Sequence, residues 1–128
     1  AATLELSEVK TWFDSYRQHA DELVVLSEVI QIDREYRCFC RNAKFVCGSS
    51  YPDPPFDPVP DSVRHFAEQA ADRLLSSGLN MVTIDVATTG DLLRLVEIGG
   101  VNSWGLYGSN VTDFVHAMED EAMQRIAN

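Results

Sequence analysis

The stretch MVTIDVATTGDLLRLVEIGGVNSWGLY, residues 81–107, decides the fold of this chain. Two short apolar runs, Met81–Val86 and Leu92–Ile98, flank a polar segment that contains Gly90. Short runs of branched and aliphatic residues bounded by turn residues are typical of β-strands. The stretch therefore predicts an antiparallel hairpin that continues into a glycine-rich segment.

Two carboxylates, Asp85 and Glu97, interrupt these apolar strands. Because side chains alternate between the faces of a strand, the loop length decides whether the two share a face. An odd loop of roughly three or five residues around Gly90 puts them on the same face, and the longer one puts them nearly opposite each other. Two facing carboxylates repel each other unless a cation lies between them.

Asn102 follows Glu97 in the glycine-rich segment and adds an amide oxygen. Hard oxygen ligands of this kind suit Mg²⁺. The residues thus indicate a metal site formed by Asp85, Glu97 and Asn102. The alternative is a pair of exposed strand carboxylates and a turn asparagine, and the pattern alone leaves both open.

Composition limits the classes of function. The 128 residues are 45% hydrophobic, which is enough for one core, so we expect a single domain over residues 1–128. The net charge is −10 and the only lysines are Lys10 and Lys44. Nucleic-acid binding requires clustered basic residues, and a membrane span requires a long apolar run. We therefore expect neither nucleic acid nor a membrane as a partner.

The three cysteines, Cys38, Cys40 and Cys47, are an odd number in a chain of ordinary composition. This favours free thiols in a reducing compartment, and so a cytoplasmic protein. Three thiolates also allow a zinc-stabilised module as an alternative. Structural zinc usually has four ligands, however, and a Cys-x-Cys pair on a strand is more typical of a core face.

A second hairpin is predicted to turn at Asn42-Ala43, which pairs Arg41 with Lys44 and Cys38 with Cys47. Its predicted core face comprises Tyr36, Cys38, Cys40, Phe45 and Cys47. The other face carries Glu35, Arg37, Phe39, Arg41 and Val46. A face with this mixture is solvent-exposed or lines a cleft. For Arg37, a surface ion pair and contact with a ligand remain equally open.

Helical periodicity is clear in three further segments. Ser7–His19 and a segment from Val63 to Leu74 each place apolar residues at helical spacing. A last helix over Val111–Ile126 is predicted to bury Val111, Phe114, Val115 and Met118 and to expose Glu119, Asp120 and Glu121. Glu22–Ile32 is apolar and predicts a buried strand. The fold class is therefore α+β, an antiparallel sheet with helices packed on one side.

Three stretches together resemble the C-terminal lobe of the ATP-grasp superfamily, in the clade named for one arginine and two lysines. The first is Glu35–Cys40 with Lys44-Phe45-Val46 and Tyr51, similar to that clade's "EYR-F…GK-V…Y" hairpin. The second is Val82–Val86, similar to its "VDV" strand. The third is Val96–Tyr107, similar to "VEIN-xNSxGLY". The three occur in the family's order and together run from Glu35 to Tyr107.

The resemblance implies an ATP-dependent carboxylate–amine ligase that acts through an acyl phosphate, with ATP and Mg²⁺ as cofactors. It assigns Asp85 and Glu97 to the metal, with Asn102 as a further metal and nucleotide ligand. It assigns Arg37 a catalytic role at the phosphates or the acyl phosphate. The chain is then expected to be the C-terminal lobe of a longer protein, with the N-terminal ATP-grasp lobe supplied in cis or by a partner chain.

Two departures from the family pattern favour an alternative. The Glu-x-Asn motif would put asparagine at position 99, where this chain has Gly99. The lysines that bind adenine and phosphate lie mostly on the N-terminal lobe, which these residues do not include. The alternative is a non-catalytic binding or interaction module that keeps the shape of the lobe.

Overall fold

The computed structural model describes residues 8, 11, 28–102 and 105–127. The chain divides into two compact units, residues 1–31 and 32–128. Glu8 and Thr11 are helical, and the rest of the helix predicted over Ser7–His19 lies outside the described residues. Residues 28–32 form no strand and Val29 is 77% exposed, so the buried strand predicted over Glu22–Ile32 is wrong at this end. A single domain over residues 1–128 stays a prediction.

The second unit is built on a four-stranded antiparallel sheet with the strand order β2-β1-β3-β4. Two hairpins form it, namely β1 (Arg34–Arg41) with β2 (Lys44–Tyr51) and β3 (Met81–Thr89) with β4 (Leu92–Gly99). Strands β1 and β3 pair with each other at the centre, while β4 lies at one edge. The predicted α+β fold with an antiparallel sheet is confirmed.

Helix α1 (Asp61–Asp72) covers one face of the sheet, and a short 3-10 helix, Leu75–Ser77, follows it. The buried residues of α1 recur at helical spacing and pack on alternating residues of the two central strands, β1 and β3. The resulting core consists of Tyr36, Cys38 and Cys40 from β1, Val82, Ile84 and Val86 from β3, Val63, Ala67 and Ala71 from α1, and Val59 before it. This arrangement follows from the period of two in a strand and 3.6 in a helix.

Helix α2 (Val111–Ala127) contacts the opposite face of the sheet. The ring of Phe114 packs edge-on against Phe39, with the ring centroids 4.9 Å apart. Arg41, which shares this face with Phe39, forms ion pairs with Asp120 and Glu121 of α2. The prediction of helices on one side therefore describes α1, whereas α2 covers part of the face that carries the charged residues.

The first hairpin turns at Asn42 and Ala43, which both have positive φ, and Arg41 pairs with Lys44 as predicted. A β-bulge then shifts the register, so that Phe39 rather than Cys38 pairs with Cys47. Directly opposite residues share a face, so Cys47 lies on the face of Phe39, and its predicted place in the core beside Cys38 is wrong. This register separates the thiol of Cys47 from those of Cys38 and Cys40, which argues against the zinc-stabilised alternative.

Candidate functional site

Arg37 and Asp85 form a buried ion pair at the centre of the sheet. They are direct partners in the β1–β3 register. The Arg37 Nε donates to Oδ1 of Asp85 at 2.9 Å and Nη2 donates to Oδ2 at 2.7 Å. Arg37 is 5% exposed and Asp85 is 1% exposed. A bidentate pair of this kind fixes the orientation of both side chains, because two parallel hydrogen bonds join two planar groups.

Tyr51 completes the surroundings of the Asp85 carboxylate. Its hydroxyl lies within hydrogen-bonding distance of the Glu35 carboxylate and 2.9 Å from Oδ2 of Asp85, and it donates its one hydrogen to one of these two carboxylates at a time. Glu35 is the direct partner of Tyr51 in the β1–β2 register. The last residue of β2 thus reaches across β1 to a carboxylate on β3.

Aromatic rings cover the guanidinium of Arg37. Its Cζ lies 4.5 Å from the ring centroid of Tyr51 and 5.3 Å from that of Tyr107. The two rings are stacked, with centroids 5.2 Å apart and planes at 19°. Rings at this distance attract a guanidinium through their quadrupoles. Arg37 is therefore held by a carboxylate and by two aromatic side chains.

These contacts shift the pKa values of Arg37 and Tyr51. Burial lowers the pKa of Arg37, but the hydrogen bond and charge of Asp85, together with Tyr51 and Tyr107, raise it by more, so the net pKa is raised. Burial and the neighbouring carboxylates of Glu35 and Asp85 raise the pKa of Tyr51. Near neutral pH, Arg37 is consequently a cation and Tyr51 is a neutral hydroxyl that can donate.

Glu97 lies directly opposite Asp85 across β3 and β4. The loop between these strands has two residues, Gly90 and Asp91, because Thr89 pairs with Leu92. A loop with an even number of residues would by itself put Asp85 opposite Val96 and turn Glu97 to the other face. A β-bulge between the Asp85–Glu97 and Val86–Leu95 pairs corrects the register. The two carboxylates therefore belong to one face of the sheet, as predicted, although for a different reason.

The segment after β4 runs beside Thr83. This residue lies two positions before Asp85 on β3, so their side chains are on the same face of the sheet. Gly99 pairs with Thr83, whose hydroxyl donates to the carbonyl oxygen of Gly100 at 3.3 Å. A Cβ atom on Gly100 would lie 2.9 Å from Oδ1 of Asn102, so the Asn102 side chain folds back over this backbone. Its role as a metal or nucleotide ligand stays a prediction.

The donor chemistry of Asp85, Glu97 and Asn102, two carboxylates and an amide oxygen, is that which Mg²⁺ prefers. Among the described residues, no three His, Cys, Asp or Glu side chains form a group that could hold a metal ion. A cation at the Asp85–Glu97 pair would therefore need ligands beyond these carboxylates. Substrate phosphates and water are the ligands that commonly complete a magnesium site.

Sequence reasoning missed the contributions of Tyr51, Tyr107 and Glu35 to this site. Tyr51 and Tyr107 are far from Asp85 in the chain and no periodicity connects them, although both stand in the stretches that resemble the ATP-grasp family. The position of Glu35 could have been predicted, because it lies two residues before Arg37 on β1 and therefore shares its face. Arg37, Asp85 and Glu97 are brought together, in adjacent positions across β1, β3 and β4.

A family model that describes an ATP-grasp domain, the second family of the clade named for one arginine and two lysines, matches residues 3–117 of this chain. The chain belongs to the ATP-grasp superfamily. Comparison with curated proteins gives no significant match. Among solved structures, this ATP-grasp domain is similar to the ATP-grasp ligase PsnB in complex with a phosphomimetic variant of a minimal precursor, Mg and ADP.

The PsnB likeness is one of fold. The sequence identity is 13% and the TM-score is 0.57, over 90% of this chain. The chain spans 41% of the length of the PsnB chain. No helix among the described residues of the ATP-grasp domain is long and apolar enough to cross a membrane.

Proposed function

We propose that this ATP-grasp domain is the metal- and ATP-phosphate-binding lobe of a ligase that joins a carboxylate to an amine through an acyl phosphate. The observation that carries the proposal is the cross-strand pair of Asp85 and Glu97, with the Arg37 guanidinium bound to Asp85. Membership of the ATP-grasp superfamily supports it. So does the PsnB fold, which was solved with Mg and ADP.

The proposed reaction has two steps. A carboxylate oxygen of the substrate attacks the γ-phosphorus of ATP, the bond to the β,γ-bridging oxygen breaks, and ADP leaves. The amine nitrogen then attacks the carbonyl carbon of the acyl phosphate, loses a proton, and displaces inorganic phosphate. Bound Mg²⁺ would neutralise charge that spreads over the phosphoryl oxygens.

The residues of this chain would act by holding charge in place. Asp85 and Glu97 would bind the cation, with Asn102 as a further oxygen ligand for metal or nucleotide. Arg37 would place a fixed positive charge at the edge of the phosphates, where preorganised charge stabilises a transition state. Its hydrogen bonds to Asp85 keep the guanidinium in position before substrate arrives.

The proposal includes a second lobe. The chain spans 41% of PsnB, and ligands are commonly bound between domains. We propose that an N-terminal ATP-grasp lobe, in cis or on a partner chain, supplies the other side of the nucleotide site. The isolated chain is then expected to bind Mg-ATP weakly and to show little or no catalysis. The three free, buried thiols support a reducing, cytoplasmic location.

Calorimetric titration with Mg-ATP tests this function, using Asp85→Asn and Glu97→Gln. Both substitutions are expected to abolish the binding seen with the wild-type chain. Glu97→Gln is the cleaner variant, because Glu97 is exposed whereas Asp85 is the buried partner of Arg37. Asp91→Asn removes an exposed carboxylate from the turn of the same hairpin and serves as the matched control.

The outcomes separate the ligase lobe from its rival. Loss of binding in Asp85→Asn and Glu97→Gln, with binding kept in Asp91→Asn, supports the lobe. Unchanged binding in the first two variants would overturn it and favour the non-catalytic binding module. Circular dichroism of each variant shows whether a loss of binding is a loss of fold.

A further inference from the structure

Arg94 lies on the same face of the sheet as the Asp85–Glu97 pair because of the β-bulge in β4. Side chains three positions apart in a regular strand point to opposite faces, which would separate Arg94 from Glu97. Val96 is the extra residue of the bulge, and Arg94 pairs with Ala87, two residues after Asp85. Directly opposite residues share a face, so Arg94 stands beside the carboxylate pair. Bulges often occur next to active sites, where they redirect a side chain.

Arg94 is an exposed cation whose charge is not neutralised by a partner. Among the contacts of the described residues it takes part in no hydrogen bond or ion pair. Two other arginines share this face, but Arg37 is bound to Asp85 and Arg41 to helix α2. Of these three arginines, Arg94 is therefore the one whose charge is still available to an anionic ligand.

We propose that Arg94 binds the terminal phosphate of ATP, the phosphate that the ligase would transfer. The inference rests on the proposed function, since it takes Asp85 and Glu97 as the site of the cation that the phosphates surround. A guanidinium is charged at neutral pH, and its planar fork of N–H donors matches phosphate oxygens. Two residues of a strand span about 7 Å, so the long side chain of Arg94 can reach the space in front of Glu97.

The order of the groups along β3 favours the terminal phosphate over the others. The segment that contains Asn102 runs beside Thr83, two residues before Asp85. Arg94 is level with the position two residues after Asp85, on the other side of the carboxylate pair. A nucleotide held by Asn102, as in the proposed function, would extend across the cation toward Arg94. Its last phosphate is then the one that meets the guanidinium.

The alternative role for Arg94 is protection of the sheet edge. Strand β4 lies at an edge of the sheet, and charged residues and bulges on edge strands prevent pairing with other chains. The two roles have different consequences, because edge protection concerns self-association whereas phosphate binding concerns the affinity for ATP.

The test is calorimetric titration of the full chain with Mg-ATP and with Mg-ADP, in the wild type and in Arg94→Gln. The affinity for Mg-ATP is expected to fall about tenfold, the scale set by one hydrogen bond to a charged group. The affinity for Mg-ADP, which lacks the terminal phosphate, should change by less than about twofold. Arg94→Lys keeps the charge without the fork and should lose less than Arg94→Gln.

The matched control is Arg73→Gln, which removes an exposed arginine directly after helix α1. It changes the net charge by the same amount and should bind both nucleotides as the wild type does. The comparison of the two nucleotides is informative because a loss of fold would weaken both together.

An unchanged affinity for Mg-ATP in Arg94→Gln, or an equal loss for Mg-ATP and Mg-ADP, would overturn the role of Arg94 and leave the proposed function standing. Unchanged Mg-ATP affinity with self-association of Arg94→Gln in sedimentation velocity would assign Arg94 to edge protection instead. An equal loss in Arg73→Gln would reduce the effect to net charge and would also overturn the assignment. A wild-type chain that binds neither nucleotide would overturn the proposed function and this inference with it.

Discussion

Arg37 and Asp85 are joined by two hydrogen bonds across the central strands, and both side chains are buried. Removing two charges from water is costly, and the attraction between them offsets that cost only while both are present. The pair is therefore a point at which a change intended to alter function also alters stability. Variants at either residue need a measurement of folding beside any measurement of binding.

Replacing one member of this pair is expected to be strongly destabilising. Arg37→Ala leaves Asp85 buried without its cation, and we expect the free energy of unfolding to fall by about 3–5 kcal/mol. The double variant Arg37→Ala/Asp85→Ala removes both charges and should lose less than the sum of the single losses. Urea denaturation of the wild type, the two single variants and the double variant gives a double-mutant cycle. Losses of unfolding free energy that add to within about 0.5 kcal/mol would contradict the coupling between Arg37 and Asp85.

Gly48 is expected to tolerate no side chain. A Cβ atom there would collide with the carbonyl oxygen of Arg37 and would lie 3.0 Å from Val59 and 3.1 Å from Phe45. Gly48→Ala should lower the free energy of unfolding by about 1–3 kcal/mol or more, the usual cost of overpacking.

Gly90→Ala separates this steric cost from the cost of an unusual backbone angle. Gly90 has a φ of +61°, and a Cβ atom there would face open space. Only backbone strain of about 1–2 kcal/mol is therefore expected. Thermal and urea unfolding of both variants make the comparison. A loss in Gly90→Ala greater than that in Gly48→Ala would contradict the close contact at Gly48.

The buried thiols predict a stability that falls in alkaline solution. Burial raises the pKa of Cys47 from the ordinary 9.0 to about 11, and that of Cys40 to about 12. Above pH 9 the unfolded chain releases these protons while the folded chain retains them, so the folded state is progressively disfavoured as the pH rises.

The free energy of unfolding is therefore expected to decline between about pH 9 and pH 11, measured by urea titration at each pH. Cys47→Ala should decline less steeply than the wild type, because one thiol has been removed. Identical slopes for the two proteins would show that Cys47 makes no contribution.

Glu121 is expected to matter for folding although it lies in an acidic run. It is 5% exposed and forms ion pairs with Arg41 and Arg125. Glu121→Ala should destabilise the protein by about 1–3 kcal/mol, because it leaves Arg41 without this partner. Glu119→Ala, on the exposed side of the same helix, should change stability by less than about 0.5 kcal/mol. Equal effects would contradict the buried position of Glu121.

The sequence was enough to locate the strands and helices of the second unit, but not to predict which face of each one is buried. The apolar runs around Asp85 and Glu97 identified β3 and β4 because alternation and turn residues are local signals. The pairing of these two residues depends on a bulge, which is a tertiary feature with no local signal. The sequence left the loop length open, and the two carboxylates share a face because the bulge compensates for a two-residue loop.

The face of helix α2 shows the same limit. Val111 and Val115 were expected to be buried but are 55% and 44% exposed, whereas Ala117 and Glu121 are buried. Apolar periodicity identifies a helix, but the strand that it meets decides its orientation. Here that strand presents Arg41, which accommodates a buried glutamate. The family-like hairpin includes Tyr51 but gave it no role, because its contact with Asp85 depends on the strands that pair with β1 on both sides.

The most direct test of the central claim is a crystal structure of the chain with MnCl₂ and ADP, in which anomalous scattering locates Mn²⁺ as a stand-in for Mg²⁺. We expect a peak about 2.0–2.3 Å from carboxylate oxygens of both Asp85 and Glu97, with the diphosphate of ADP beside it. A peak bound to neither carboxylate, or ADP with its phosphates away from this pair, would contradict it.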